Sequence, residues 1–468
     1  MRLILIAFIA FIFIACSDNS TSSSDSSDPM PPDLNSSPLF YQQWSINYNS
    51  EFYSINSIDE NAHINPQDIL LTYSGIGVKV AVIDDGFDVN HPQIRDKIIK
   101  TIGVDENGVI SSNVSHTYSS GFHGSSVTGI IASADDDIGV RGISPDVELI
   151  LVKMPMYNVS DYVFIEVFKQ AVDAGADVIN CSWGSGDVSD AVRDYIDEIS
   201  TNARDGKGVI VVFASGNGGE DGIGDDMGND ESAIDSVVGV GATSRDNLRT
   251  KYSNYGKDLD IVAPGGYWLG ISTIDPVGSA GHSEDEYSRY DETRNGLAVS
   301  FVGTSASAPI ITSVVALALQ KNSDLTRVQI QELLKKSTTT IGQNTPYLDD
   351  MIVASSSTPL ITGLYGLAQN SEIKVKLISH TNSTTFGPYS VESIGNSEWS
   401  STVIDTLEDG NYTIRVVSDD ETITWATDES FEVNSLKTSQ TDKSKRKSDF
   451  YGYGKIDLYK LMDNIISL

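Results

Sequence analysis

Gly303-Thr304-Ser305-Ala306-Ser307-Ala308-Pro309 decides how this chain is read. A serine stands just ahead of Pro309 to Leu319, a run that is apolar on nearly every face and predicts a buried helix. Proline is tolerated in the first helical turn, which places the helix start near Ser305. A hydroxyl there sits where free backbone N–H groups and the helix dipole favour developing negative charge. These are the conditions a nucleophilic serine needs.

Two further segments complete the chemistry. Val78 to Ile83 is a β-branched apolar run ending in Asp84-Asp85-Gly86. It predicts a buried parallel strand with a carboxylate at its C-terminal edge, where open α/β sheets collect their reacting groups. His123-Gly124-Ser125-Ser126-Val127-Thr128-Gly129 begins with a histidine and continues as a helix of small and apolar residues. Asp84, His123 and Ser305 then follow in the order Asp, His, Ser. The hydroxyl of Ser305 becomes a nucleophile when His123 takes its proton, and Asp84 fixes the tautomer of that histidine. Asp85 is the rival acid, but Asp84 directly follows the apolar strand. His91 reads as a structural residue.

With these three motifs and Ala214-Ser215-Gly216-Asn217-Gly218-Gly219, the chain resembles the subtilisin-like serine proteases, the S8 or subtilase family. Asp84-Asp85, Cys181-Ser182-Trp183-Gly184 and Pro38 to Trp44 lean toward its kexin and furin branch. The resemblance implies a doubly wound parallel α/β sheet flanked by helices, and peptide-bond hydrolysis through an acyl-enzyme. It also implies that Asn217 donates to the oxyanion. One wall of the specificity pocket would be Ser182, Trp183 and Gly184, the other Ala214, Ser215 and Gly216. Asp187 lies where kexin-like members carry an acid that selects basic residues. With Glu220, Asp221, Asp225 and Asp226 it supports an expectation of cleavage after Arg or Lys. A structural calcium ion is expected at the Asp136 loop, with Gln42 or Gln43 of the N-terminal arm, Gln93, Ile138 and Val140 as further ligands. Gln93 departs from the family, which often has Asp there. Among the described motifs no His/Cys spacing suggests zinc.

The N-terminus predicts export. Residues 1–15 have a charged start and a short apolar core, a signal peptide too short to span a bilayer. Cys16 follows in a sequence that resembles the bacterial lipobox, so it is expected to carry lipid and anchor the protein at the cell envelope or surface. Residues 16–37 then form a flexible Ser-, Asp- and Pro-rich tether. The only other cysteine is Cys181, which predicts a buried apolar thiol without a disulfide partner. A net charge of −34 argues against nucleic acid as a partner. No pro-domain fits before the first catalytic strand, so folding is expected to be unaided or helped by a separate protein.

The catalytic domain is expected over 38–356. Residues 357–434 are rich in Thr, Ser, Val and Ile, with alternation at Glu372–Ile378 and Asn411–Val417. They predict a small all-β, Ig-like sandwich inserted near the C-terminus. Residues 435–448, with the basic run Lys443-Ser444-Lys445-Arg446-Lys447, read as a solvated linker. Residues 449–468 close the catalytic domain. The expected function is a lipid-anchored serine endopeptidase acting on proteins or peptides. The alternative is a surface binding or adhesion protein that uses the insert, whose partner the sequence does not name, on a silent protease fold.

Overall fold

The computed structural model describes residues 39–116, 123–136, 139–218, 227–277, 301–342, 345–364, 373–395, 398–421 and 423–466. Cys16, the signal peptide and the tether therefore lie outside the described residues. So do Ile138, Glu220, Asp221, Asp225, Asp226 and most of the acidic stretch between Tyr267 and Asn295.

Seven parallel strands form the body of the main sheet. They lie in the order Ile98–Val104, Glu148–Lys153, Lys79–Asp84, Val178–Cys181, Ile210–Ala214, Val237–Thr243 and Ile261–Pro264. All but Ile98–Val104, whose first half is exposed, are buried on both sides, as their apolar runs required. Alternate side chains face opposite layers. Ala81, Ile83, Ile179, Cys181, Val211 and Phe213 share a core with Val163, Phe168, Val192 and Ile196 of the helices Asp161–Asp173 and Asp190–Gly206. The other face takes the helices His123–Ala132 and Thr304–Lys321. Asn180 shows the alternation directly, since its amide oxygen accepts from Thr312 of that second helix at 2.9 Å. Lys79–Asp84 lies centrally, with Glu148–Lys153 on one side and Val178–Cys181 on the other. Asp84 therefore ends at the crevice where strand order reverses.

Arg327–Lys336 is a helix with a capping box between Thr326 and Gln329. After it, Thr338–Thr339 forms the edge of the main sheet and pairs antiparallel with Lys455–Ile456. Lys455–Ile456 also joins Ile261–Pro264 in parallel, and the helix Leu458–Ile466 packs on the two preceding helices. The chain thus leaves the main sheet and returns beside its own exit. An intervening segment can be accommodated there without disturbing the core.

That segment is all β, but its bounds differ from the expectation. The second sheet has nine strands and begins at Tyr347–Ala354, inside the stretch read as catalytic domain. Its own core includes Trp399, Phe431, Ile414, Val375 and Leu377. Gln440–Lys447, read as a linker, is a strand paired with Tyr347–Ala354. The acidic surplus supplies the reason. Lys445 reaches Glu332 at 2.9 Å and Asp350 at 3.5 Å, and Arg446 reaches the buried Asp349 at 2.7 Å and Glu398 at 3.0 Å. A charge run with partners on three other segments is a paired strand, and such a strand must unpair before a protease can cut it.

Candidate active site

Asp84 is fully buried at the end of its strand, and its Oδ1 accepts from His123 Nδ1 at 2.8 Å and from the Asp85 N–H at 2.8 Å. This resolves the choice between the two carboxylates, because Asp85 points instead to the Gly124 N–H, 3.0 Å from its Oδ1. Gly124 is required here. A Cβ at that position would lie 2.3 Å from the Gly86 carbonyl oxygen, so only glycine lets the histidine helix approach the strand. The His123 ring packs edge-on against Phe301, with centroids 5.2 Å apart. Burial lowers the imidazolium pKa, but Asp84, through its charge and hydrogen bond, and Asp85 more than offset this and leave it above the ordinary histidine value. Asp85 is itself pushed up to about 6 by burial and by the neighbouring charge of Asp84.

Ser305 is the second residue of the helix Thr304–Lys321 and is 8% exposed. Its Oγ donates to the Ser182 carbonyl at 2.9 Å, and no hydrogen bond joins it to His123 in this structure. Pro309 lies further into the helix than expected, in its second turn. Having no N–H, it cannot bond the Ser305 carbonyl. Ser182 Oγ donates to that carbonyl instead, at 3.0 Å. The proline thus frees the group by which Ser182 is tied to the nucleophile turn.

Asn217 is exposed, and its Oδ1 accepts from Thr304 N–H at 2.9 Å and Thr304 Oγ1 at 3.0 Å. A backbone N–H can only donate, so the amide orientation is fixed and its NH2 is left for another acceptor. Gly303, with φ of +124°, turns the chain into the helix. Its N–H is shared between Gly265 O at 3.0 Å and the hydroxyl of Tyr252 at 3.1 Å. Tyr252 was not legible as part of this site, because the contact spans fifty-one residues.

The residues expected to form the two walls lie at and just beyond the ends of the neighbouring strands Val178–Cys181 and Ile210–Ala214. Trp183 contributes mainly as an anchor. Its Nε1 donates to Ile83 O at 2.7 Å, and its ring lies 5.0 Å from Phe213 and 5.5 Å from Phe164. Ser215 donates to Asn254 O at 3.3 Å, and Gly216 has φ of +98°. Asp187 accepts from Asn229 at 2.7 Å. Two further acids bracket this wall. Asp230 accepts from Gly186 N–H at 3.0 Å, and the buried Glu231 accepts from both N–H and hydroxyl of Ser185, at 3.0 and 2.5 Å. Burial, with Asp230 beside it, raises the Glu231 pKa. Glu231 escaped the sequence reading because its only signal was one more acid in an acidic stretch.

At the Asp136 loop, Gln93 Nε2 lies 3.1 and 3.2 Å from the two carboxylate oxygens of Asp136. Gln93 Oε1 is buried and has no hydrogen-bond partner among the described residues. Exchanging the two ends of that amide would turn an oxygen toward Asp136, and the donor set then fits a hard cation. Gln42 is buried on the N-terminal arm, which reaches this loop through Leu39 N–H to Gly139 O at 3.2 Å. Gln43 is committed elsewhere, to both backbone groups of Arg141. Val140 is buried beside it.

A model of the subtilase family, peptidase S8, matches residues 75–352. The alkaline elastase YaB of Bacillus sp. (strain YaB) is 32% identical over 288 residues, 61% of this chain and 66% of the elastase. A calcium-dependent protease of Trichormus variabilis is 28% identical over 301 residues, 59% of this chain and 44% of that protein. The matches thus span less than two thirds of either relative. The solved serine protease of Aeromonas sobria, in complex with its chaperone, superposes with a TM-score of 0.60 at 20% identity, covering 92% of this chain and 67% of that one. That likeness bears on the fold, and it extends beyond the residues the family model matches. With a buried carboxylate bonded to a helix-borne histidine, and a serine at the head of the helix beside them, the chain belongs to the subtilase family.

Proposed function

We propose that this protein is a serine endopeptidase that hydrolyses peptide bonds through Asp84, His123 and Ser305. The observation that carries the reading is the 2.8 Å bond from His123 Nδ1 to the buried Asp84, with Ser305 at the N-terminus of the facing helix. Ser305 Oγ leaves the Ser182 carbonyl and turns to His123 Nε2, which takes its proton as Oγ attacks the scissile carbonyl. The tetrahedral oxyanion takes the Asn217 NH2 and the Ser305 N–H, donors already fixed in place. His123 then gives its proton to the leaving amine, and a water repeats the cycle to release the acyl group. The chain at Ser182–Gly184, just beyond the strand Val178–Cys181 that is paired on both sides, offers its backbone to the substrate as an added strand.

Selection of Arg or Lys before the cut is part of this proposal. Asp187, Asp230 and Glu231 gather beneath the wall formed by Ser182–Gly186. A diverse peptide library should be cut mainly after Arg and Lys. Asp187→Asn with Asp230→Asn should lower kcat/KM for Arg substrates about tenfold or more, with little effect on apolar ones. A library cut mainly after Leu, Phe or Met would refute the preference.

Calcium is proposed at Asp136 and Gln93, with Gln42 and the chain around Ile138 and Val140, as an ion that stabilises the fold and takes no part in the chemistry. A curated relative is named for its calcium dependence. Saturating calcium should raise the thermal midpoint, since an ion at a hundred times its Kd adds about 2.7 kcal/mol. Chelator should remove the gain, and Gln93→Ala should shrink it. A midpoint indifferent to calcium would exclude the site. Export and lipid attachment at Cys16 remain proposals from the N-terminal sequence, and the mass of the N-terminal peptide from membranes tests both.

A further inference from the structure

His116 belongs to none of the motifs above, yet it is packed against the catalytic histidine's helix. Its side chain is 13% exposed. Nε2 lies 2.9 Å from Ser125 Oγ, and that oxygen also accepts the Asp88 N–H at 2.9 Å. Ser125 Oγ thus joins His116 to the chain just beyond Gly86, whichever ring nitrogen carries the proton. Nδ1 is buried without a hydrogen-bond partner among the described residues and faces Asp85 Oδ1 at 3.9 Å. The same Asp85 oxygen accepts the Gly124 N–H. Gly86 makes room for the arrangement, since a Cβ there would lie 2.8 Å from the His116 Cα.

Asp85, His116 and Ser125 thus repeat the order of an Asp–His–Ser set beside the first one. Ser125 is 0% exposed inside its helix and cannot reach a substrate carbonyl. What the set does grip is the first turn of the helix, at the backbone of Gly124 and the side chain of Ser125, directly after His123. We infer that His116 is a positioning residue, which with Asp85 and Ser125 holds that turn and so sets the ring of His123 against Asp84. The inference rests on the endopeptidase reading for its effect on rate, and on geometry alone for its effect on His123.

The charged groups around the pair are few. Burial holds His116 below the ordinary histidine range, Asp84 and Asp88 oppose this, and Lys153 adds to it. Asp84 and His123 face Asp85. Without the His116 ring, the first helical turn loses its tie at Ser125, and the His123 ring is held less closely against Asp84. The field that raises the His123 pKa then weakens.

The test compares the parent with His116→Phe, which keeps the ring's bulk, and His116→Gln, which keeps a hydrogen-bonding group near Ser125. The His123 ring is titrated by nuclear magnetic resonance alongside steady-state kinetics. His116→Phe should lower the His123 pKa by roughly half a unit and kcat on the order of tenfold, with KM within about twofold. His116→Gln should recover part of both. A folded His116→Phe with unchanged titration and kcat would overturn the inference, even if its melting point fell. Should His116→Phe fail to fold, Ser125→Ala keeps the ring packed and must shift the His123 titration in the same direction, and no shift would again overturn it. A parent that cleaves nothing would defeat the endopeptidase reading, while the His123 titration would still decide the role of His116.

Discussion

Ser305→Ala should lower kcat for peptide cleavage about 10⁶-fold, the size of loss that removal of the nucleophile brings in subtilisins. The protein should stay folded. The substitution deletes one hydroxyl and one bond, from Ser305 Oγ to Ser182 O, a contribution of about 1 kcal/mol. The second tie between these residues, Ser182 Oγ to Ser305 O, does not involve the deleted atom. The Asn217 amide also remains fixed, because it is held by Thr304 and not by Ser305. Any residual rate should therefore come from the oxyanion donors and from binding. Kinetics on a peptide cut by the parent, with circular dichroism of both proteins, checks this. A folded variant that cleaves within about tenfold of the parent would remove Ser305 from the mechanism.

Asp84→Asn should lower kcat about 10⁴-fold at neutral pH. Asp84 Oδ1 accepts two N–H groups, from Asp85 and from His123. An asparagine has one acceptor end and one donor end. If its oxygen serves Asp85, its NH2 can face His123 Nδ1 and favour the tautomer that puts the proton on Nε2, where the nucleophile's proton must arrive. The pH dependence should change as well. The carboxylate of Asp84 is the main influence holding the partly buried imidazolium above the ordinary value. Without it burial prevails and the pKa falls. Cleavage requires neutral His123, so the acid limb of the rate profile should move to lower pH while the plateau drops. An acid limb that stays in place would show that Asp84 does not set the charge state of His123.

The strands and helices that carry the site were legible because each is encoded locally. Val78–Asp84, Gly208–Ala214 and Pro309–Leu319 declare themselves by largely apolar runs. The choice of Asp84 over Asp85 could also be read, since one residue along a strand end reverses the side to which a carboxylate points. What escaped depends on partners that no motif in the sequence ties together. Tyr252 matters through Gly303, Glu231 through Ser185, and His116 through Asp85 and Ser125. Lys445 and Arg446 look like a solvated run until Glu332, Asp349, Asp350 and Glu398 are brought beside them. Tyr347–Ala354 is a strand of the second sheet although its alternation is broken by Asp349-Asp350, because those two acids meet the basic strand next to it.

The central claim is that Ser305 is a nucleophile activated by His123. Its most direct test is active-site labelling with a serine-directed fluorophosphonate, followed by intact-mass and peptide mapping of the parent and of His123→Ala. The account predicts one adduct per molecule, on the peptide containing Ser305, formed in step with loss of cleavage and nearly absent in folded His123→Ala. A folded, cleaving parent that takes no label at Ser305, or that is labelled equally with and without His123, would contradict it.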